Sequence, residues 1–234
     1  ACQRLICDLV STRLPKSYGY DPVRDIQVLC PTKVGPTGSV ELNRRLQAIL
    51  NPPTPDKPQI IWEQSGRVLR CGDKVMQIKN NYQLEWEVVS RYGIPIDKGV
   101  GIFNGDMGII REIDEYAQTV LVEYDEQRRV TYTYPQMEEV ELAYAITIHK
   151  SQGSEYPAVI MPLLGGPRLL FNRNLLYTGV TRAKNCLTIV GDRNMLFSMI
   201  QNVNEQRRYT TLALRLDQIA NESEESGPMD DLGI

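Results

Sequence analysis

Apolar positions in this chain follow two rhythms. Near the N-terminus Leu5, Ile6, Leu9, Val10 and Leu14 recur at helical spacing. With Pro15 as a stop signal, this predicts an amphipathic helix over Ala1–Leu14. Asp25–Cys30 then reads as a buried strand ending at Pro31. A turn-rich loop, Thr32–Ser39, leads into a helix over Val40–Leu50 with Ser39 as its N-cap, and Asn51-Pro52-Pro53 ends it. Strand, loop and helix in that order are α/β grammar.

From Arg67 the rhythm changes. Short β-rich runs (Val68–Arg70, Lys74–Lys79, Asp106–Ile113, Thr119–Tyr124 and Arg129–Tyr134) are separated by Gly, Asn and Asp, which predicts a small β-barrel. Thr119–Tyr124 alternates poorly and is expected to be a central strand. The α/β rhythm returns at Val140. Apolar runs at Ala143–Ile148 and Ala158–Met161 flank a polar segment, a helix is expected over Asn172–Ala183, a buried strand over Asn185–Gly191, and helices over Arg193–Gln201 and Tyr209–Ile219. The chain thus divides into an α/β domain of residues 1–66 and 138–216, an inserted β-barrel of residues 67–137, and an acidic disordered tail of residues 217–234.

The tail changes the charge picture. The whole chain carries −3, but six of its 29 acids lie from Asp217 onward with no base among them. The rest holds 26 bases against 23 acids and is mildly basic, which permits a phosphate partner. Five scattered cysteines with no Cys-x-x-Cys pair, and a single histidine, build no common zinc site. No metal site is expected, and reduced thiols suit a cytoplasmic protein. No apolar run approaches the roughly 18 residues of a membrane span, so no membrane role is expected. The chain lacks an initiator Met and starts in mid-pattern, as an excised piece of a longer protein would.

Phosphate chemistry is concentrated in His149-Lys150-Ser151-Gln152-Gly153-Ser154-Glu155. An imidazole, an ammonium, hydroxyls, an amide and the backbone N–H groups near Gly153 can all donate hydrogen bonds there. Spacing alone is equally compatible with a solvated polar turn. The loop before the first α/β helix could offer Lys33 and backbone amides to a phosphate, or be an ordinary connection. Gly35-Pro36-Thr37-Gly38-Ser39 is not a P-loop: no Gly-Lys pair occurs anywhere in the chain. Asp114-Glu115 and Asp125-Glu126 are turn chemistry at strand ends, not a Walker B site.

Thr147-Ile148-His149-Lys150-Ser151-Gln152-Gly153-Ser154-Glu155-Tyr156-Pro157 resembles motif V of superfamily 1 helicases in its RecD-branch form. Leu176-Tyr177-Thr178-Gly179-Val180-Thr181-Arg182-Ala183-Lys184 resembles motif VI. Val28–Pro52 is similar to the segment after motif IV, and Gly72–Gln77 and Phe103–Gly108 are similar to signatures of the Src-homology-3-like barrel inserted in RecD-type helicases.

The resemblance implies an α/β, RecA-like second motor domain carrying that barrel. By motif position, Arg182 becomes an arginine finger, where the bland alternative is a surface ion pair. Gln152, Gly153 and Glu155 lie towards the nucleotide. Lys33, Thr147, His149, Lys150 and Ser151 lie towards single-stranded DNA, although His149 could otherwise be a hydrogen-bonded core residue. Barrel residues Lys79, Tyr82, Trp86, Arg91 and Tyr92 could stack on and neutralise single strands, or serve as core and solvated loop. ATP and Mg2+ belong to the full-length parent, a 5′–3′ DNA helicase; without Walker A and B, this piece should bind nucleotide weakly and hydrolyse none. Expected partners are single-stranded DNA, the first motor domain, and the nuclease and helicase subunits of a recombination complex. A stand-alone nucleic-acid-binding module without catalysis, and the helicase half of a conjugative relaxase, remain open alternatives.

Overall fold

The computed structural model describes residues 1–62, 66–167, 170–203 and 215–216. Residues 1–203 form one unit and residues 204–234 a second. The helix expected over residues 209–219 and the acidic tail lie outside the described residues, apart from 215 and 216, which are helical. The helices are α1 (Cys2–Asp8), α2 (Leu14–Tyr18), α3 (Ser39–Leu50), α4 (Arg173–Val180) and α5 (Arg193–Gln201). Strands β1 (Ile26–Cys30), β2 (Gln59–Trp62), β3 (Arg67–Arg70), β4 (Lys74–Gln77) and β5 (Asn81–Val89) come first. Strands β6 (Pro95–Ile102), β7 (Met107–Asp114), β8 (Thr119–Tyr124) and β9 (Arg128–Thr133) follow. The last four are β10 (Val140–Leu142), β11 (Ala145–Thr147), β12 (Tyr156–Leu163) and β13 (Ala183–Gly191). No described helix is long and apolar enough to cross a membrane.

Four strands make a parallel sheet in the order β11-β1-β12-β13. Both of its faces are covered, which is why β1 and β12 read as nearly continuous apolar runs. Val28, Cys30 and Ile160 pack with Ile6 and Val10 from the N-terminal helices and Leu42 and Leu46 of α3. Leu29, Val159 and Met161 pack on the other side with Leu175 and Leu176 of α4 and Met199 of α5. Strand β13 lies at the sheet edge, and of its residues only Val190 is buried, so Asn185–Gly191 is not the buried strand expected.

Seven strands form an antiparallel sheet in the order β10-β4-β7-β8-β9-β5-β6, with β2 and β3 as a separate hairpin. One apolar cluster draws on all of them, from Ile60 and Leu69 through Val75, Leu84, Ile102, Ile110, Val122 and Val130 to Val140. Strand β8 is central as expected, but its burial alternates cleanly between buried and half-exposed.

Several boundaries differ from the sequence reading. Pro15 does not stop the first helix. Leu9–Arg13 is a π-helical turn, with the Leu14 N–H bonded to the Leu9 carbonyl, and the helix continues to Tyr18 before Gly19 closes it at φ 73°. The widened turn accommodates a residue that has no N–H and crowds the preceding turn. Gly38, not Ser39, is the N-cap of α3. The α/β domain does not resume at Val140, because β10 pairs with β4 in the antiparallel sheet; the parallel sheet resumes at Ala145. Strands β5 and β6 have no counterpart among the expected strands.

Asp73 lies at the seam between the two sheets. It is fully buried and accepts hydrogen bonds from Gln47 Nε2 of α3 (2.6 Å), Nδ2 of Asn51 just after α3 (2.7 Å), the Tyr144 hydroxyl (3.0 Å) and the Arg70 backbone N–H (2.7 Å). Burial raises its carboxyl above the ordinary value, and the side-chain and backbone donors pull the other way.

Candidate nucleic-acid interface

The loop before α3 is closed by its own backbone. The Ser39 and Val40 N–H groups donate to the Thr32 and Lys33 carbonyls at 3.1 and 3.2 Å. Two first-turn amides are thereby used inside the loop, so the helix end does not offer them to a phosphate. A Cβ on Gly38 would stand 2.6 Å from the Lys33 carbonyl oxygen, so this closure requires glycine. The Lys33 side chain of this loop is about half exposed.

Lys33 faces a cleft of about 640 Å³ between α3, β11 and the strands β3 and β10. Thr147 and Lys150 line the same cleft, as do Arg44, Arg67 and Arg70. Glu141 of β10 stands among these bases, its two oxygens each 3.0 Å from Lys33 Nζ and Lys150 Nζ. Burial alone would raise the Glu141 carboxyl, but hydrogen bonds from Lys150 and Lys33 outweigh it and hold the group below its ordinary value. Asn43 of α3 fixes the cleft floor. Its side chain bonds the Leu142 and Ala145 carbonyls at 3.0 and 2.7 Å and accepts from the Ala145 N–H at 2.8 Å. Arg67 lies over the Trp62 ring at 4.6 Å and donates to the Met137 carbonyl at 2.9 Å and to the Val140 carbonyl.

A second group of expected residues gathers around the turn after β11. Ile148–Ser151 is a short 3-10 turn, and Gly153 follows at φ 88°. Gln152, Gly153 and Glu155 are exposed. Arg182, just beyond α4, donates to the Ser154 carbonyl (3.0 Å), the Thr178 carbonyl (3.1 Å) and Thr181 Oγ1 (3.1 Å), and its own carbonyl accepts from the Tyr156 N–H at 2.8 Å. No carboxylate among the described residues pairs with Arg182. Glu155 faces Lys184 at 3.5 Å, both well exposed.

Two expectations need revision. Ser151 is fully buried and its hydroxyl donates to the Ile148 carbonyl at 2.7 Å, so it shapes the turn and does not reach a nucleic acid. His149 is exposed, which removes the core alternative, yet it is not among the residues lining the cleft. Of the barrel residues, Tyr82 and Tyr92 are strongly exposed on the β5–β6 hairpin. Trp86 is instead packed over Gly99, where an added Cβ would stand 2.5 Å from the ring. Sequence reasoning missed Asn43, Arg44, Arg67, Arg70 and Glu141. The only local signal for any of them was the position of Asn43 and Arg44 on the helix that follows the Lys33 loop.

Residues 42–124 match the SH3 domain of ATP-dependent RecD-like DNA helicases, and residues 142–190 match the UvrD-like helicase C-terminal domain. With the parallel sheet and its inserted antiparallel sheet, the matches define a helicase region of RecA-like α/β build. The ATP-dependent RecD2 DNA helicase of Deinococcus radiodurans is 33% identical over 164 residues, covering 68% of this chain and 19% of that protein. The RecBCD enzyme subunit RecD of Mycobacterium tuberculosis is 32% identical over 165 residues, covering 70% of this chain and 24% of the subunit. A crystal structure of Pif1 helicase from Bacteroides, in complex with ADP-AlF3 and ssDNA, aligns with a TM-score of 0.49 at 19% identity, over 95% of this chain and 50% of that one. The chain belongs to the RecD-like superfamily 1 DNA helicases. It spans about a fifth to a quarter of the length of the two curated relatives.

Proposed function

We propose that this chain is the second motor half of an ATP-dependent 5′–3′ DNA helicase. In that reading residues 1–66 and 138–216 form the motor and residues 67–137 the insertion, with β2 and β10 counted with the strands they pair with. The observation that carries the proposal is the division of labour along one short segment. Thr147 and Lys150 line the basic cleft, while the Ser154 carbonyl, a few residues on, accepts from Arg182. A single turn therefore joins a face suited to a phosphate backbone to a face suited to a nucleotide, as coupling hydrolysis to strand movement requires.

In this assignment Lys33, Thr147 and Lys150 hold single-stranded DNA through its phosphates, and exposed His149 contacts the strand outside the cleft. Gln152, Gly153 and Glu155 border an ATP–Mg2+ site completed by the first motor domain. Arg182, which the Ser154 carbonyl holds beside this turn, supplies positive charge to the γ-phosphate. Such a finger contributes about 10³–10⁵ in rate. The chain has no Walker A lysine and should not turn over ATP alone. Recombination-complex subunits are partners of the parent in this reading.

The test is ATPase activity with and without single-stranded DNA. This chain should be silent alone and active when joined to a RecD-like first motor domain. In the joined protein, Arg182→Ala should abolish DNA-stimulated turnover while leaving DNA binding largely intact. Robust turnover by this chain alone, or near-wild-type turnover by the variant, would sink the assignment.

A further inference from the structure

Glu141 is the acid that stands between the cleft lysines. Its carboxylate oxygens are each 3.0 Å from a different ammonium group, Lys33 Nζ and Lys150 Nζ. Those lysines come from different elements, 108 and 9 residues away from it in sequence. A backbone phosphate is likewise a small anion whose oxygens can each accept from an ammonium group. We propose that Glu141 takes the part of a phosphate between Lys33 and Lys150, so that a single strand entering the cleft must compete with it for both ammonium groups. The inference rests on the cleft being the single-strand track.

Each ion pair is half-exposed, with side-chain accessibilities of 55% for Lys33, 30% for Lys150 and 33% for Glu141, so a phosphate oxygen can displace it. The three groups together carry one net positive charge, not two. Glu141 therefore lowers affinity, and with it the number of counterions that the bound strand releases. A track that must let go of each phosphate during translocation benefits from such a built-in competitor. Nearby Arg44 has its own acid, Glu41, on the same helix, so it does not relieve Glu141.

The test is Glu141→Gln, measured by anisotropy of a fluorescein-labelled oligothymidylate across a salt series, with thermal melting as a fold control. Removing the carboxylate should tighten binding by about fivefold at low salt, because one charge facing a phosphate is lost. The slope of log K against log salt should steepen by about 0.7, one additional effective charge on a single strand. A second variant guards against misfolding. Lys150→Gln should cost less affinity in the wild-type chain than in the Glu141→Gln chain, because Glu141 already engages that lysine. Weaker binding by Glu141→Gln would show that the carboxylate orients the lysines for DNA, and unchanged affinity and slope would show a purely structural pair; either overturns the proposal. Failure of the wild-type chain and every variant to bind would overturn the cleft assignment itself.

Discussion

Replacing Lys74 by methionine should stabilise the chain at neutral pH, and the gain should fade as pH rises. Lys74 is only 6% exposed, and its ammonium donates a long hydrogen bond to the Ile26 carbonyl at 3.4 Å. Burial drives its pKa down from 10.5 to about 8, although the carboxylates of Asp125, Asp21 and Asp25 pull it upward. That drop corresponds to about 3 kcal/mol of opposition to folding while the lysine is charged. A depressed lysine pKa means that the folded chain sheds this proton before the unfolded chain does. Between pH 8 and 10.5 the unfolded state binds more protons, so stability rises with pH in that window. The penalty is complete below pH 8 and relieved towards 10.5.

Methionine fills similar volume without charge, so Lys74→Met should gain about 1–3 kcal/mol at neutral pH. The buried Cys30 thiol and the Tyr132 hydroxyl, both pushed up by burial, impose an opposite alkaline trend on both proteins. The difference between the two unfolding free energies is therefore the quantity to follow. Urea unfolding monitored by circular dichroism, from neutral pH to just above the folded lysine pKa, measures it. A difference that does not change with pH, or a methionine variant less stable throughout, would refute the reasoning and mean that the ammonium is well solvated in the fold.

Asp73→Ala should cost about 3 kcal/mol, since it strands donors from α3, Tyr144 and the Arg70 backbone; a loss under about 1 kcal/mol in urea unfolding would show that the seam is held by other contacts. The turn between β8 and β9 places Glu126 and Gln127 both at φ 61°, with the Arg128 N–H closing onto the Asp125 carbonyl. Two consecutive left-handed residues form the turn that favours Asn-Gly, so Glu126→Asn with Gln127→Gly should stabilise by about 1 kcal/mol. An unchanged or lower melting temperature would argue that side-chain contacts of the native pair offset the backbone cost.

What could be read from the sequence was what is local. Strand β1 is legible because both its faces are covered, and Arg193–Gln201 because its periodicity is carried within one helix. The segment His149–Glu155 is legible as a polar turn between two strands because its residues are contiguous, whereas Arg182 is singled out only by the resemblance to motif VI. The β5–β6 hairpin escaped notice for a physical reason. In β5 only Leu84 is buried, most of β6 is exposed, Ile96 and Val100 included, and Pro95, Gly99 and Gly101 interrupt the run, so burial imposes no alternating pattern. Strand β10 was misplaced because three residues cannot declare their partner strand. Glu141 had no legible role, because its meaning depends on a lysine 108 residues upstream. Ser151 was misjudged because a hydroxyl in a polar stretch does not reveal that its own turn has consumed it.

The passage from β10 to β11 has a mechanical consequence. Only Ala143 and Tyr144 separate the last strand of the inserted sheet from the first strand of the parallel sheet to follow it. Two residues span about 7 Å at most, so this tether has no slack. Asn43 pins both of its ends, and the Tyr144 hydroxyl is bolted to Asp73. The inserted sheet is therefore not a pendant on a string. A force applied to the inserted sheet passes directly into β11 and, within a few residues, into the turn that faces Arg182, making the insertion a stiff lever arm on the parallel sheet.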